Sequence, residues 1–142
     1  MTQKWLVPID GSETSLHATN WIIDNIAAWR EPPRILLINV QVSLPNDIGR
    51  FINAETIREF HLETGMKALA AARDKLAAAG IAAELHVLIG EAAATITAFA
   101  DSHGCNQIVI GTRGHSGLAG TLLGSVAMKV VHLSNVPVLL IR

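Results

Sequence analysis

Five of the eleven glycines in this 142-residue chain stand at 111, 114, 117, 120 and 124, and Ser125 follows the last of them. Glycines at this density let a backbone pass close to a bound group, because no Cβ stands in the way. Amide hydrogens around Gly111 and Gly114 can then point at an anion. Gly124-Ser125-Val126 opens a helical pattern, where free amide hydrogens and the positive end of a helix dipole meet. The Ser125 hydroxyl adds a donor, Arg113 is the nearest full positive charge, and His115 can add part of one. The chemistry implied is the cradling of a phosphate group. A flexible lid or a tight packing site would also use glycines. The strand pattern before the segment and the helix pattern after it favour the phosphate reading.

The elements that must hold this segment alternate along the chain. Trp5–Ile9 reads as a first strand, ending at the turn signal Asp10-Gly11-Ser12. Leu16, Asn20, Ile23 and Ala27 recur at helical spacing, and Pro32-Pro33 stops that helix. Arg34–Val42 reads as strand two, followed by a polar connection over Ser43–Arg50. A long helix is expected over Asn53–Ala79, closed by Gly80 as a left-handed cap. Ile81–Ile89 reads as strand three, Glu91–Ser102 as a helix, and Gln107–Ile110 as strand four. After the glycine segment, a helix runs from about Gly124 to Leu133, and Asn135–Ile141 gives a fifth strand. Several strands are apolar throughout, as strands buried on both faces of a parallel sheet are. The expected fold class is α/β, a three-layer α/β/α sandwich with right-handed crossovers, forming one domain over 1–142. In such sheets ligands sit beyond the carboxyl ends of the strands. The site therefore belongs at Asp10–Ser12, Val40–Ser43, Ile89–Ala92 and Gly111–Ser125.

Bulk composition narrows the function classes. Lys and Arg total 11 against 12 Asp and Glu, so the chain lacks the basic excess that nucleic acids or anionic membranes require. A single cysteine leaves no internal disulfide framework. No apolar run approaches the length of a membrane span, and the N-terminus has no signal-peptide pattern, so a cytoplasmic setting is expected. The P-loop spacing is absent, and no G-x-G-x-x-G follows strand one. Gly114-His115-Ser116-Gly117 fails as a nucleophile elbow because Leu118 stands where the second glycine belongs. His103 and Cys105 lie close in sequence without further ligands, so burial or capping is expected of them rather than zinc.

Gly111, Gly114 and Gly124-Ser125 together spell G-x2-G-x9-G-[S/T]. That signature resembles the ATP-binding branch of the universal stress protein family. The likeness runs over the whole chain, through Val7–Ser12, Ile38-Asn39-Val40, Gly90 with Ile96 and Ala100, and Val136–Ile141. Two departures stand outside the signature: Asn106 where the family usually has Asp, and Ala92 where it commonly has Pro. The resemblance implies a Rossmann-like, adenine nucleotide alpha hydrolase-like fold, a five-stranded parallel sheet in the order 3-2-1-4-5. That order sets strands one and four side by side.

The resemblance also implies roles. Asp10 matches a ribose-binding acid, Pro8 and Ile9 match residues beside adenine, and Val40 matches a backbone contact to the base. Gly111, Arg113, Gly114, Gly124, Ser125 and Val126 match the phosphate loop. From the residues alone Asp10 can equally be a helix cap, as Ser12 can. Lys129, four residues after Ser125, shares its helix face and reads as a solvated lysine. The ligand implied is ATP, with Mg2+ or Mn2+ entering through its phosphates. Strand five, as an apolar edge over 136–141, is expected to pair with its copy in a homodimer. The leading function is a nucleotide-binding regulatory or stress-response module with an unidentified protein partner. The alternative is a slow ATP-hydrolysing or phosphotransfer enzyme using the same site.

Overall fold

The computed structural model describes residues 2–112 and 123–142. It contains a five-stranded parallel sheet: β1 (Lys4–Pro8), β2 (Arg34–Gln41), β3 (Ala83–Ile89), β4 (Gln107–Gly111) and β5 (Val138–Ile141). The strand order is β3-β2-β1-β4-β5, as the resemblance implies. Four helices cover its two faces: α1 (Leu16–Asn25), α2 (Ala54–Ala78), α3 (Ala92–Ser102) and α4 (Ser125–Leu133). No described helix is long and apolar enough to cross a membrane.

Consecutive strand residues face opposite sides, and here both sides are dry. Trp5, Leu6 and Val7 are all fully buried. Trp5 and Val7 join Ile35, Leu37 and Val109 under α1 and α2. Leu6 joins Leu36, Ile38, Ile108 and Ile110 under α3 and α4. Burial of each such aliphatic side chain contributes roughly 1.5–3 kcal/mol relative to exposure, which explains why the strands read as unbroken apolar runs. Trp5 also sits against Trp29, edge to face at 4.9 Å, and against Trp21 at 6.2 Å.

Helix ends follow local chemistry. Asn53 caps α2, its side chain accepting the Thr56 amide at 2.8 Å. At the other end Gly80 has φ +78°, the Ile81 amide reaches the Leu76 carbonyl, and the Gly80 amide reaches Ala77. These paired bonds close the helix as its glycine suggests. Gly65, in the middle of α2, lies against β3: a Cβ there would stand 2.4 Å from Val87 Cγ1. This approach lets α2 sit close on the sheet.

Three boundaries differ from the sequence reading by two residues or more. The first helix ends at Asn25 and tightens into a 3-10 turn over Ile26–Ala28. The third strand starts at Ala83 rather than Ile81, because Ile81 is engaged in closing α2. The fifth strand starts at Val138. Before it, Ser134 Oγ holds a turn, donating to the Val136 carbonyl and accepting its amide. Pro137 has no amide hydrogen to pair, and its carbonyl accepts from Ile108. Asn106 takes the place of the family's usual Asp without loss of pairing. Its Oδ1 accepts the Lys4 amide and its own amide donates to the Lys4 carbonyl, both at 2.7 Å.

Candidate functional site

The carboxyl ends of β1, β2 and β4 open onto one cleft of about 250 Å³. Pro8, Ile9 and Asp10 line it from β1, Ile38, Asn39 and Val40 from β2, and Ile110, Gly111 and Thr112 from β4. Ala92 and Ile96 of α3 form another wall, and Gly124, Ser125, Val126 and Ala127 at the start of α4 form the end. Ser15 completes the lining. Eight of the ten residues singled out in the sequence thus share one cavity: Pro8, Ile9, Asp10, Val40, Gly111, Gly124, Ser125 and Val126. Arg113 and Gly114, like His115, lie outside the described residues. Asn39, Ser15, Ala92, Ile96 and Thr112 were not singled out as ligand contacts. Asn39 carried a signal, as the lone amide within Ile35–Val40.

Each wall is fixed by a specific bond. Ile9 is pinned twice to β2: its amide donates to the Ile38 carbonyl at 2.8 Å, and its carbonyl accepts from Asn39 Nδ2 at 2.8 Å. Asn39 is itself only 3% exposed, and its Oδ1 accepts from Gln41 Nε2. Asp10 follows directly. Its Oδ1 accepts both the amide of Ser12, at 2.9 Å, and the Ser12 hydroxyl. Gly11 between them has φ +87°, a conformation that favours glycine. Ser12 Oγ in turn accepts the Ser15 amide at 3.2 Å. Asp10 and Ser12 therefore do organise the start of α1, while Asp10 also lines the cleft.

The ends of the glycine-rich segment meet. The Thr112 amide donates to Ile141, and the Thr112 carbonyl accepts the Gly124 amide at 2.5 Å. This places the last residues of β4 beside the first turn of α4. Gly124 has φ −68° and ψ 161°, an extended conformation open to any residue. Its lack of a side chain therefore serves the space around it rather than the backbone angle. First-turn amides of a helix have no partner within the helix, and Gly124 has no side chain to cap them.

Three helix N-termini converge on the cleft, and they differ. That of α1 is closed by the turn before it: the Leu16 and His17 amides donate to the Glu13 and Thr14 carbonyls, and Ser12 Oγ accepts the Ser15 amide. That of α3 is closed by Glu91, whose carboxylate accepts Ala94 N–H at 2.7 Å and Ala93 N–H at 3.3 Å. The amide of Ala94, above all, holds the Glu91 carboxyl below its ordinary range, with smaller help from Ala93 and Lys129 against some desolvation. Lys129 Nζ stands 3.9 Å from Glu91 Oε1, so the lysine is solvated, as its sequence suggests, and also faces a carboxylate. Only α4 presents its first turn to the cleft with a glycine as its cap.

His103 and Cys105 lie elsewhere. His103 ends α3 and stacks on Phe99 at 3.7 Å, and Cys105 is 5% exposed in the apolar layer under α3 and α4. Burial pushes the Cys105 thiol up. Among the described residues no group of three or more His, Cys, Asp or Glu is placed to hold a metal ion.

Comparison with known proteins adds the lineage. A family model described as the universal stress protein family matches residues 1–142. The chain belongs to the universal stress protein family. A curated member, universal stress protein YxiE of Bacillus subtilis (strain 168), is 35% identical over 150 residues and covers 100% of both chains. The solved structure of the hypothetical protein MJ0577 superposes with a TM-score of 0.80 at 25% identity, covering 99% of this chain and 96% of that one. A universal stress protein crystallised in complex with cAMP superposes with a TM-score of 0.66 at 27% identity, again over 99% of this chain and 96% of that one. The sheet order and the four helices among the described residues are those of a universal stress protein.

Proposed function

We propose that this universal stress protein binds an adenine nucleotide in the cleft above β1, β2 and β4, with its phosphate end at the start of α4. The observation that carries this reading is the contrast among the three helix N-termini. Two are met by the chain's own groups, backbone carbonyls with Ser12 at α1 and the Glu91 carboxylate at α3, and the third opens into the cavity through Gly124 and Ser125. An anion is favoured at such a terminus by unpaired amides and by the helix dipole together. The apolar lining from Ile38, Val40, Ala92 and Ile96 suits a planar base. Asp10 lines the same cavity and suits ribose hydroxyls, whose hydrogens a carboxylate accepts readily. The relative crystallised with cAMP supports an adenine ligand.

ATP is the ligand we assign, with Arg113 and Gly114 contributing to phosphate binding and Mg2+ or Mn2+ arriving on the phosphates. The role is regulatory, in a cytoplasmic stress response. The protein acts as a homodimer through the β5 edge, and nucleotide occupancy alters the choice of a protein partner.

Mass spectrometry of small molecules released from the purified protein tests the ligand. Adenine nucleotide at near one equivalent is expected. ADP recovered together with steady turnover of added ATP would move the assignment to a slow hydrolase. Substitution of Gly114→Val with Gly124→Val tests the site, and ATP affinity is expected to fall by about ten-fold or more, as one lost anion contact or a steric block would cause. Unchanged affinity in a folded double variant removes the phosphate assignment.

A further inference from the structure

We infer that Glu91 and Lys129 bias the cleft in opposite directions between a nucleoside triphosphate and a monophosphate, each offsetting the other; this rests on the nucleotide reading above. The two residues belong to the two helices that wall the cavity. Glu91 immediately precedes Ala92, which lines it from α3. Lys129 follows Ser125, which lines it from α4, by one turn on the same helix face. The Nζ to Oε1 distance of 3.9 Å therefore carries one positive and one negative charge across from α4 to α3 beside the cleft.

The two charges differ in freedom. The Glu91 carboxylate is tied down by two backbone amides, so it stays where it is. Lys129 has a flexible four-carbon stem, is 64% exposed, and lies beyond hydrogen-bond distance of its partner. An exposed pair of this kind contributes little to folding. Its consequence is electrostatic. A triphosphate brings more negative charge than a monophosphate, so it gains more from Lys129 and loses more to Glu91. With both present the two effects nearly cancel. Removal of either one leaves the other unopposed, and the two removals act in opposite directions.

The experiment is calorimetric measurement of AMP and ATP affinity without added divalent metal, on the full chain and on Glu91→Gln, Lys129→Gln and the double variant. Glu91→Gln is expected to raise the preference for ATP over AMP by about three-fold, and Lys129→Gln to lower it by about three-fold. The double variant returns to the wild-type ratio. Both shifts shrink near 1 M salt, where the screening length is about 3 Å. An unchanged ratio in both single variants overturns the inference. So does a shift of the same sign in both, which is what loss of a merely structural contact between α3 and α4 would give. Wild-type protein that binds neither nucleotide removes the nucleotide reading and the inference with it. Wild-type protein that binds both, with ratios that do not move, removes the inference alone.

Discussion

Asn39 shows how a single polar residue can carry both stability and site geometry. Its buried carboxamide holds the carbonyl of Ile9, one residue before Asp10, at the wall of the cleft. In Asn39→Ala that carbonyl loses this partner, and unfolding by urea should show a loss of about 1–3 kcal/mol. Nucleotide affinity should fall as well, because Asp10 is held in place through Ile9. At Glu91 the expected signature is pH dependence. Its carboxyl is held below the ordinary carboxylate range by the Ala94 amide. Its contribution is therefore fully present above the ordinary value and is lost as pH falls through the lowered one. Thermal melts of wild type and Glu91→Gln should differ near neutrality and converge in acid. Cys105 gives a third outcome: buried, with its thiol pushed up, it should react with a thiol reagent about ten-fold or more slowly than in denaturant. The glycines and Ser125 were legible because their chemistry is local in sequence. Asn39 and Ile96 were not singled out as site residues because they reach the cleft only through strand pairing and helix packing.

At the scale of elements, the sequence identified pieces whose ends are set by their own residues. Gly80 and Asn53 mark the ends of α2 because a left-handed cap and an amide-accepting side chain are intrinsic to those residues. The start of β5 was less legible, since whether Asn135 and Val136 pair depends on the turn Ser134 makes with them. The sheet order came from the resemblance, not from any local pattern. Gly65 carries a prediction here. Alanine is the better helix former by about 1 kcal/mol, which alone would make Gly65→Ala stabilising. The added Cβ would meet Val87, a stiff β-branched side chain, at 2.4 Å. Overpacking of this kind costs about 1–3 kcal/mol, so net destabilisation is expected in denaturant titrations. The pair Gly65→Ala with Val87→Ala should recover the contact-dependent part, leaving the cost of the truncated valine.

At the scale of the whole molecule, β5 is one edge of the sheet and β3 the other. Leu140 of β5 is 37% exposed, and Met128, Val131 and Leu133 of α4 are also exposed. A protomer with such an edge invites pairing with its copy. Light scattering at micromolar concentration should give twice the protomer mass, and Leu140→Lys should shift it toward the single mass. A monomeric wild type would sink the dimer. The tryptophans have a further optical consequence. Trp5, the second residue of β1, stands three residues before Pro8, where its strand reaches the cleft, so its backbone lies about 10 Å along the strand from that cavity. Trp21 and Trp29 cluster around it. Intrinsic emission should therefore stay constant as nucleotide is added and shift to the red when the protein unfolds. One fluorophore cluster would report folding while remaining blind to occupancy, and the two equilibria could be followed separately in one cuvette with a labelled nucleotide as the second colour.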